Sequence, residues 1–168
     1  MLRQKAVCLA CAGAGLLTLL GMGVSAAAGP QGSGQDLAAV KAEMIRLANA
    51  ERAKANLAPL VEDARLSRAA QKHTDLMAEK GRLDHDLGGT SPGDRVRAEG
   101  YRLRATGEII FRPLQPEKAN AARAVQDWMG SEGHREMILL PRFTEVGVGV
   151  RYNSIGQPYY TMVFAEPR

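Results

Sequence analysis

The stretch Thr144–Glu166, TEVGVGVRYNSIGQPYYTMVFAE, decides the fold. Val146, Val148 and Val150 alternate with Gly147 and Gly149, the period of two that gives a strand one apolar face. PYYTMVFAE, from Pro158 to Glu166, reads as a second strand, and Asn153–Gln157, NSIGQ, supplies turn residues between them. The expected product is a β-hairpin. A third strand is read at Glu108–Phe111 in TGEIIFRPL, ended by Pro113, and the hairpin is expected to pair with it.

Helices are expected on either side of these strands. From about Asp36 to Asn56, apolar Leu37, Val40, Met44, Leu47 and Ala48 recur at helical spacing, and Pro59 lies beyond as a stop. A second helix places Leu66, Ala69, Ala70, His73, Leu76 and Met77 on one face, with Gly81 as its C-terminal cap. His73 on that face reads as a core-edge histidine with a single hydrogen bond. Ser91, Pro92 and Asp94 have the chemistry of a helix start. Pro116 is expected to open another helix carrying Trp128 inward, and a short helix runs from about Ser131 to Leu139 before Pro141. Helices packed on an antiparallel sheet define an α+β class.

The first 28 residues have the three parts of a secretory signal peptide: Arg3 and Lys5, an uncharged apolar run, then small residues ending at Ala26 or Ala28. The run from Ala6 to Val24 is also long enough to be retained as an anchor. Gly29–Gln35, GPQGSGQ, reads as a flexible linker, and residues 36–168 as one domain. After leader cleavage no membrane span is expected, and the protein should be secreted or held at the cell envelope as a monomer. Both cysteines, Cys8 and Cys11, lie in the leader, so the core must hold without disulfides. Two of the 22 basic and none of the 18 acidic residues also lie there, which lowers the net charge from +4 to +2. Basic and acidic residues are interspersed, so no nucleic-acid partner is implied.

The sequence contains no phosphate-binding Gly-Lys-Ser/Thr loop, no dinucleotide fingerprint and no His-Glu-x-x-His helix. What chemistry remains is His85 in a loop, Glu108 on a strand and His134 at a helix start. Two imidazoles and a carboxylate are sufficient ligands for a catalytic type of zinc site with water in an open position. They could equally form an acid-base pair. Ser131, three residues before His134, permits a Ser, His, Glu trio but reads as well as an N-cap.

The ordered blocks NAERAKANLAPLVEDARLSRAAQKHTDLMAEKGRLDH, DRVRAEGY, GEII, AVQDWMGSEGHREMIL and FTEVGVGV resemble the CAP superfamily, the cysteine-rich secretory, antigen 5 and pathogenesis-related proteins. Their short bacterial SCP-like branch is the nearer likeness, and it covers Asp36–Pro167. The resemblance implies a three-layer α-β-α sandwich with a small central antiparallel sheet. It also implies a cleft lined by His85, Glu108 and His134, with Ser131 where many members carry a second glutamate. In that cleft a divalent cation, zinc, would be held by His85 and His134. Ile109 stands where the motif has Asn, and one carboxylate attracts a cation less strongly than two. By the same pattern Arg95 is expected in an internal salt bridge or backbone contact, while Trp128, Tyr101, Phe143 and Phe164 are expected to pack.

Three functions are compatible with this reading. One is a non-enzymatic module that binds a lipid, a cell-wall component or a protein outside the membrane. The alternative is a metal-dependent, peptidase-like hydrolase using His85 and His134 with Glu108 as base, or the Ser131 trio without metal. The third is a stable scaffold with a vestigial cleft.

Overall fold

The computed structural model describes residues 36–168; the leader and linker expected at 1–28 and 29–35 lie outside the described residues. In chain order the elements are α1 (Leu37–Lys54), β1 (Val61–Glu62), α2 (Ala64–Lys80), α3 (Pro92–Ala98), β2 (Leu103–Phe111), α4 (Ala121–Gly130), α5 (Glu132–Leu139), β3 (Glu145–Tyr152) and β4 (Pro158–Pro167). The helix starts follow their capping chemistry. Asp36 and Asp63 accept backbone N–H bonds at the heads of α1 and α2, and Ser91 with Asp94 forms a reciprocal capping box at α3. Gly81 ends α2 in the left-handed region at φ 64°.

β3 and β4 form the expected hairpin, with Val146 opposite Phe164 and Val150 opposite Tyr160. β2 pairs antiparallel with β4, and it begins at Leu103 rather than Glu108. The sheet order is β1-β3-β4-β2. The two-residue β1, which carries too little pattern to read, pairs parallel with β3 and makes the sheet mixed. A second correction concerns Pro116. It opens a single 3₁₀ turn over Pro116–Lys118, and α4 starts afresh at Ala121, where the Asn120 side chain accepts from the Arg123 N–H.

The Val/Gly alternation in β3 has a direct packing cause. Val146, Val148 and Val150 point into the larger core with Met44, Trp128, Ile138, Phe143, Met162 and Phe164, on the side of α1, α4 and α5. Each such valine contributes roughly 1.5–3 kcal/mol by burial. Gly147 and Gly149 point the other way, towards α2. A Cβ at Gly147 would lie 2.1 Å from the Leu66 carbonyl carbon and the Ser67 nitrogen, and one at Gly149 2.5 Å from the Ala70 oxygen. The absence of side chains lets the α2 backbone lie directly on the sheet, where Thr74 Oγ1 donates to Thr161 Oγ1 at 2.7 Å. The result is an α-β-α sandwich, with α2 and α3 on one face and α1, α4 and α5 on the other.

Arg52 fixes the position of α5. It is 1% exposed, and its guanidinium donates to the carbonyls of Ala58 (2.8 Å), Ile138 (2.8 Å), Leu140 (3.1 Å) and Phe143 (2.9 Å). These are carbonyls left open by the end of α5 and the loops around it. Among the described residues no carboxylate pairs with Arg52. The buried charge is satisfied by main-chain dipoles, and α5, which carries His134, is tied to α1.

Candidate functional site at the open edge of the sheet

β2 is an edge strand, and the helical layers overhang it from both sides. Between α3 with its preceding loop and α5 lies an open pocket of about 460 Å³, whose lining includes His85, Gly93, Thr106, Glu108, Gly133 and His134. The structure therefore brings together three of the four residues read as the cleft. Ser131 is not among the lining residues, and although it occupies the N-cap position of α5 its side chain makes no capping bond.

Strand alternation turns the Glu108 side chain towards α2, where it is 1% exposed. Burial of a carboxylate requires partners, and Glu108 has them. Arg95, projecting from α3, donates to Glu108 Oε2 at 2.7 Å. The same guanidinium donates to the carbonyl of His85 at 3.0 Å and to that of Thr90, so it also holds the loop that carries the histidine. This is the salt bridge and backbone contact expected of Arg95. His85 Nδ1 lies 2.9 Å from Glu108 Oε1. A carboxylate can only accept, so Nδ1 carries the proton and Nε2 takes no part in this bond.

A third imidazole belongs to this network. His73 Nε2 is 3.6 Å from Glu108 Oε1, with a fully buried side chain, and neither ring nitrogen reaches a partner in bonding geometry. The ring expected at the core edge is fully buried beside Glu108, with the Asp84 main chain also acting on it. The helical face that bears Leu66, Ala69, Ala70 and Met77 also aims His73 at β2, and that shared face was the available signal.

The three histidines respond differently to this environment. The hydrogen bond to Glu108 raises the pKa of His85 against partial burial. Burial lowers that of His73, with the Glu108 charge opposing, and burial together with the His85 charge lowers that of His134. Trp128, Tyr101, Phe143 and Phe164 are all packed in the interior as expected, and Ile109 is buried in the core on the face of the sheet opposite Glu108.

The donor set is thin for a metal centre. Glu108 is engaged by Arg95 and His85, and among the described residues no three His, Cys, Asp or Glu side chains converge as a group able to hold a cation. What the pocket offers a cation is the two imidazoles of His85 and His134, fewer than the three protein ligands of a catalytic zinc site.

An α-β-α sandwich with a histidine-bearing cleft at its sheet edge defines the class. Residues 45–164 match the model of the cysteine-rich secretory protein family, and the chain belongs to that family. An uncharacterized protein of Bacillus subtilis, YkwD, is 37% identical over 115 residues, 67% of this chain and 43% of its own length. The uncharacterized membrane protein YlbC of the same organism is 30% identical over 74% of this chain and 34% of its own. The chain thus spans less than half the length of these relatives. Among solved structures, an extracellular SCP-domain protein of Bacillus anthracis superposes with a TM-score of 0.69 at 28% identity, covering 77% of this chain and 41% of the other. An outer surface protein of Borrelia burgdorferi shares the fold, with a TM-score of 0.66 at 22% identity over 79% and 93% of the two chains. Among the described residues no helix is long and apolar enough to cross a membrane.

Proposed function

We propose that the chain acts outside the membrane as a binding module, capturing a ligand in the cleft at His85 and His134 without turning it over. The candidate ligand classes are a lipid, a cell-wall component and a protein. The state of Glu108 carries this reading. Both of its oxygens are bonded and it is buried, so it orients His85 and is poorly placed to serve as a free general base. The hydroxyl in the pocket lining, that of Thr106, donates to the Phe164 carbonyl at 2.8 Å and is not activated by an imidazole. The extracellular SCP-domain protein of Bacillus anthracis supports the placement outside the membrane.

Zinc enters this proposal in a narrow form. His85 through Nε2 and His134 would be its protein ligands, and the metal would supply an electrophilic position in the cleft. The second reading, a hydrolase, draws on the His85–Glu108 pair, in which a carboxylate orients an imidazole.

The deciding experiment incubates the full chain with quenched casein and p-nitrophenyl esters, with and without zinc, beside His134→Ala. No turnover dependent on His134 is expected. Hydrolysis that is abolished in a normally folded His134→Ala protein would replace the binding reading with the enzymatic one.

A further inference from the structure

Resting on the reading of the cleft as a binding site, we propose that its ligand is an extended polypeptide segment, which adds to the sheet as a further strand along β2. The argument begins with the direction of the main-chain groups. The Thr144 N–H donates to the Ala165 carbonyl at 3.1 Å, so the Ala165 carbonyl points towards β3. Successive residues of an antiparallel strand turn to alternate sides, so Phe164 and Met162 turn towards β2, where they pair with Gly107 and Ile109. The Thr106 hydroxyl meeting the Phe164 carbonyl agrees with this phase. Thr106, Glu108 and Ile110 then direct their N–H and C=O groups away from β4. Trp128 Nε1 approaches the Ile110 carbonyl at 3.4 Å from that side.

The outward main-chain groups of Thr106 and Glu108 have no hydrogen-bond partner among the described residues, and both residues line the cleft. A row of alternating donors and acceptors on an edge strand is the template for strand addition. An incoming strand would lie about 4.8 Å from β2. Its side chains would alternate between the wall bearing His85 and Gly93 and the wall bearing His134 and Met137. Gly93 and Gly133 keep both walls low, and a Cβ at Gly133 would meet nothing within 4 Å. A second copy of the chain fits less well, because its own β2 is recessed between α3 and α5 in the same way and two recessed edges cannot meet.

The test pans a phage library of random linear dodecapeptides on the full chain, and then measures the enriched peptides in synthetic form. Expected are peptides whose affinity falls about tenfold or more with Thr106→Pro and is kept with Thr106→Val, the loss of a single main-chain bond. Proline at 106 removes an outward N–H and no ladder bond, so the fold should persist. As a measurement that leaves the protein untouched, N-methylation of alternate peptide residues should cause the same loss. Peptide binding should also slow amide exchange at Thr106 and Glu108.

Failure to enrich any sequence overturns the inference, as does binding indifferent to both Thr106→Pro and N-methylation. A concentration-dependent dimer lost in Thr106→Pro overturns it in favour of a second copy. A ligand lost with His134→Ala but indifferent to Thr106→Pro sinks strand addition while leaving the cleft a binding site.

Discussion

Arg95 and Glu108, 13 residues apart on α3 and β2, meet at 2.7 Å with side chains 11% and 1% exposed, and His85 depends on both. The carboxylate holds its ring and the guanidinium holds its backbone. Removing one member of a buried pair leaves the other charge unpaired, which costs about 3–5 kcal/mol. Arg95→Met should therefore lower stability by that amount in urea unfolding. Arg95→Lys should recover only part of it, because a single nitrogen replaces the two that separately reach Glu108 and the His85 and Thr90 carbonyls. Full recovery by lysine would mean that charge alone matters.

Three histidines in three environments make pH a direct probe of the site. In Cε1–H NMR titrations His85 should titrate above the ordinary value of about 6.5, and His73 and His134 below it. His85 then stabilises the fold fully below about pH 6.5, and that contribution is lost as pH rises through its raised value. His73 and His134 act in the opposite sense. The unfolded chain takes up protons near pH 6.5 while the fold resists, so their effect is a loss of stability as pH falls from there. Glu108→Gln should move the His85 curve down. Three coincident curves near 6.5 would contradict the geometry.

Gly147 marks the closest approach of α2 to the sheet. A methyl group there would sit 2.1 Å from α2 main-chain atoms that cannot rotate aside. Gly147→Ala should cost about 3 kcal/mol or more, at the upper end of overpacking effects. Gly133→Ala, in open space on α5, should instead stabilise by up to about 1 kcal/mol through helix propensity. Thermal melts of the two variants decide this, and equal stability would mean that α2 does not lie on the sheet as described.

The residues that say most about the fold are those whose local chemistry and tertiary role coincide. Ser91, Pro92 and Asp94 cap α3 wherever it packs, and the valines of β3 need an apolar layer whatever supplies it. Pro116 misled because a good helix start is also a good 3₁₀ turn, and the Asn120 cap four residues later wins the longer helix. β1 was invisible because two exposed residues have no period; only pairing with β3 makes them a strand. Within the site, His85, Glu108 and His134 were legible through a family resemblance, since nothing local says that a loop, a strand and a helix meet. His73 was legible only as part of the apolar face of α2, because Glu108, the carboxylate it faces, lies 35 residues downstream and approaches it only across the packing of α2 on β2.

Zinc titration by calorimetry at about pH 7.5 tests what the two accessible imidazoles can do. His85 offers Nε2 only because Glu108 holds Nδ1, and such orienting partners are worth about 10–100-fold in metal affinity. One weak, saturable site is expected. It should vanish in the His85→Ala/His134→Ala double variant and weaken by that factor in Glu108→Gln. Binding should also weaken as pH falls through the raised pKa of His85, because a protonated ring cannot ligate. Identical heats for the wild-type chain and the double variant would exclude both histidines as ligands and leave the cleft to a ligand bound without metal.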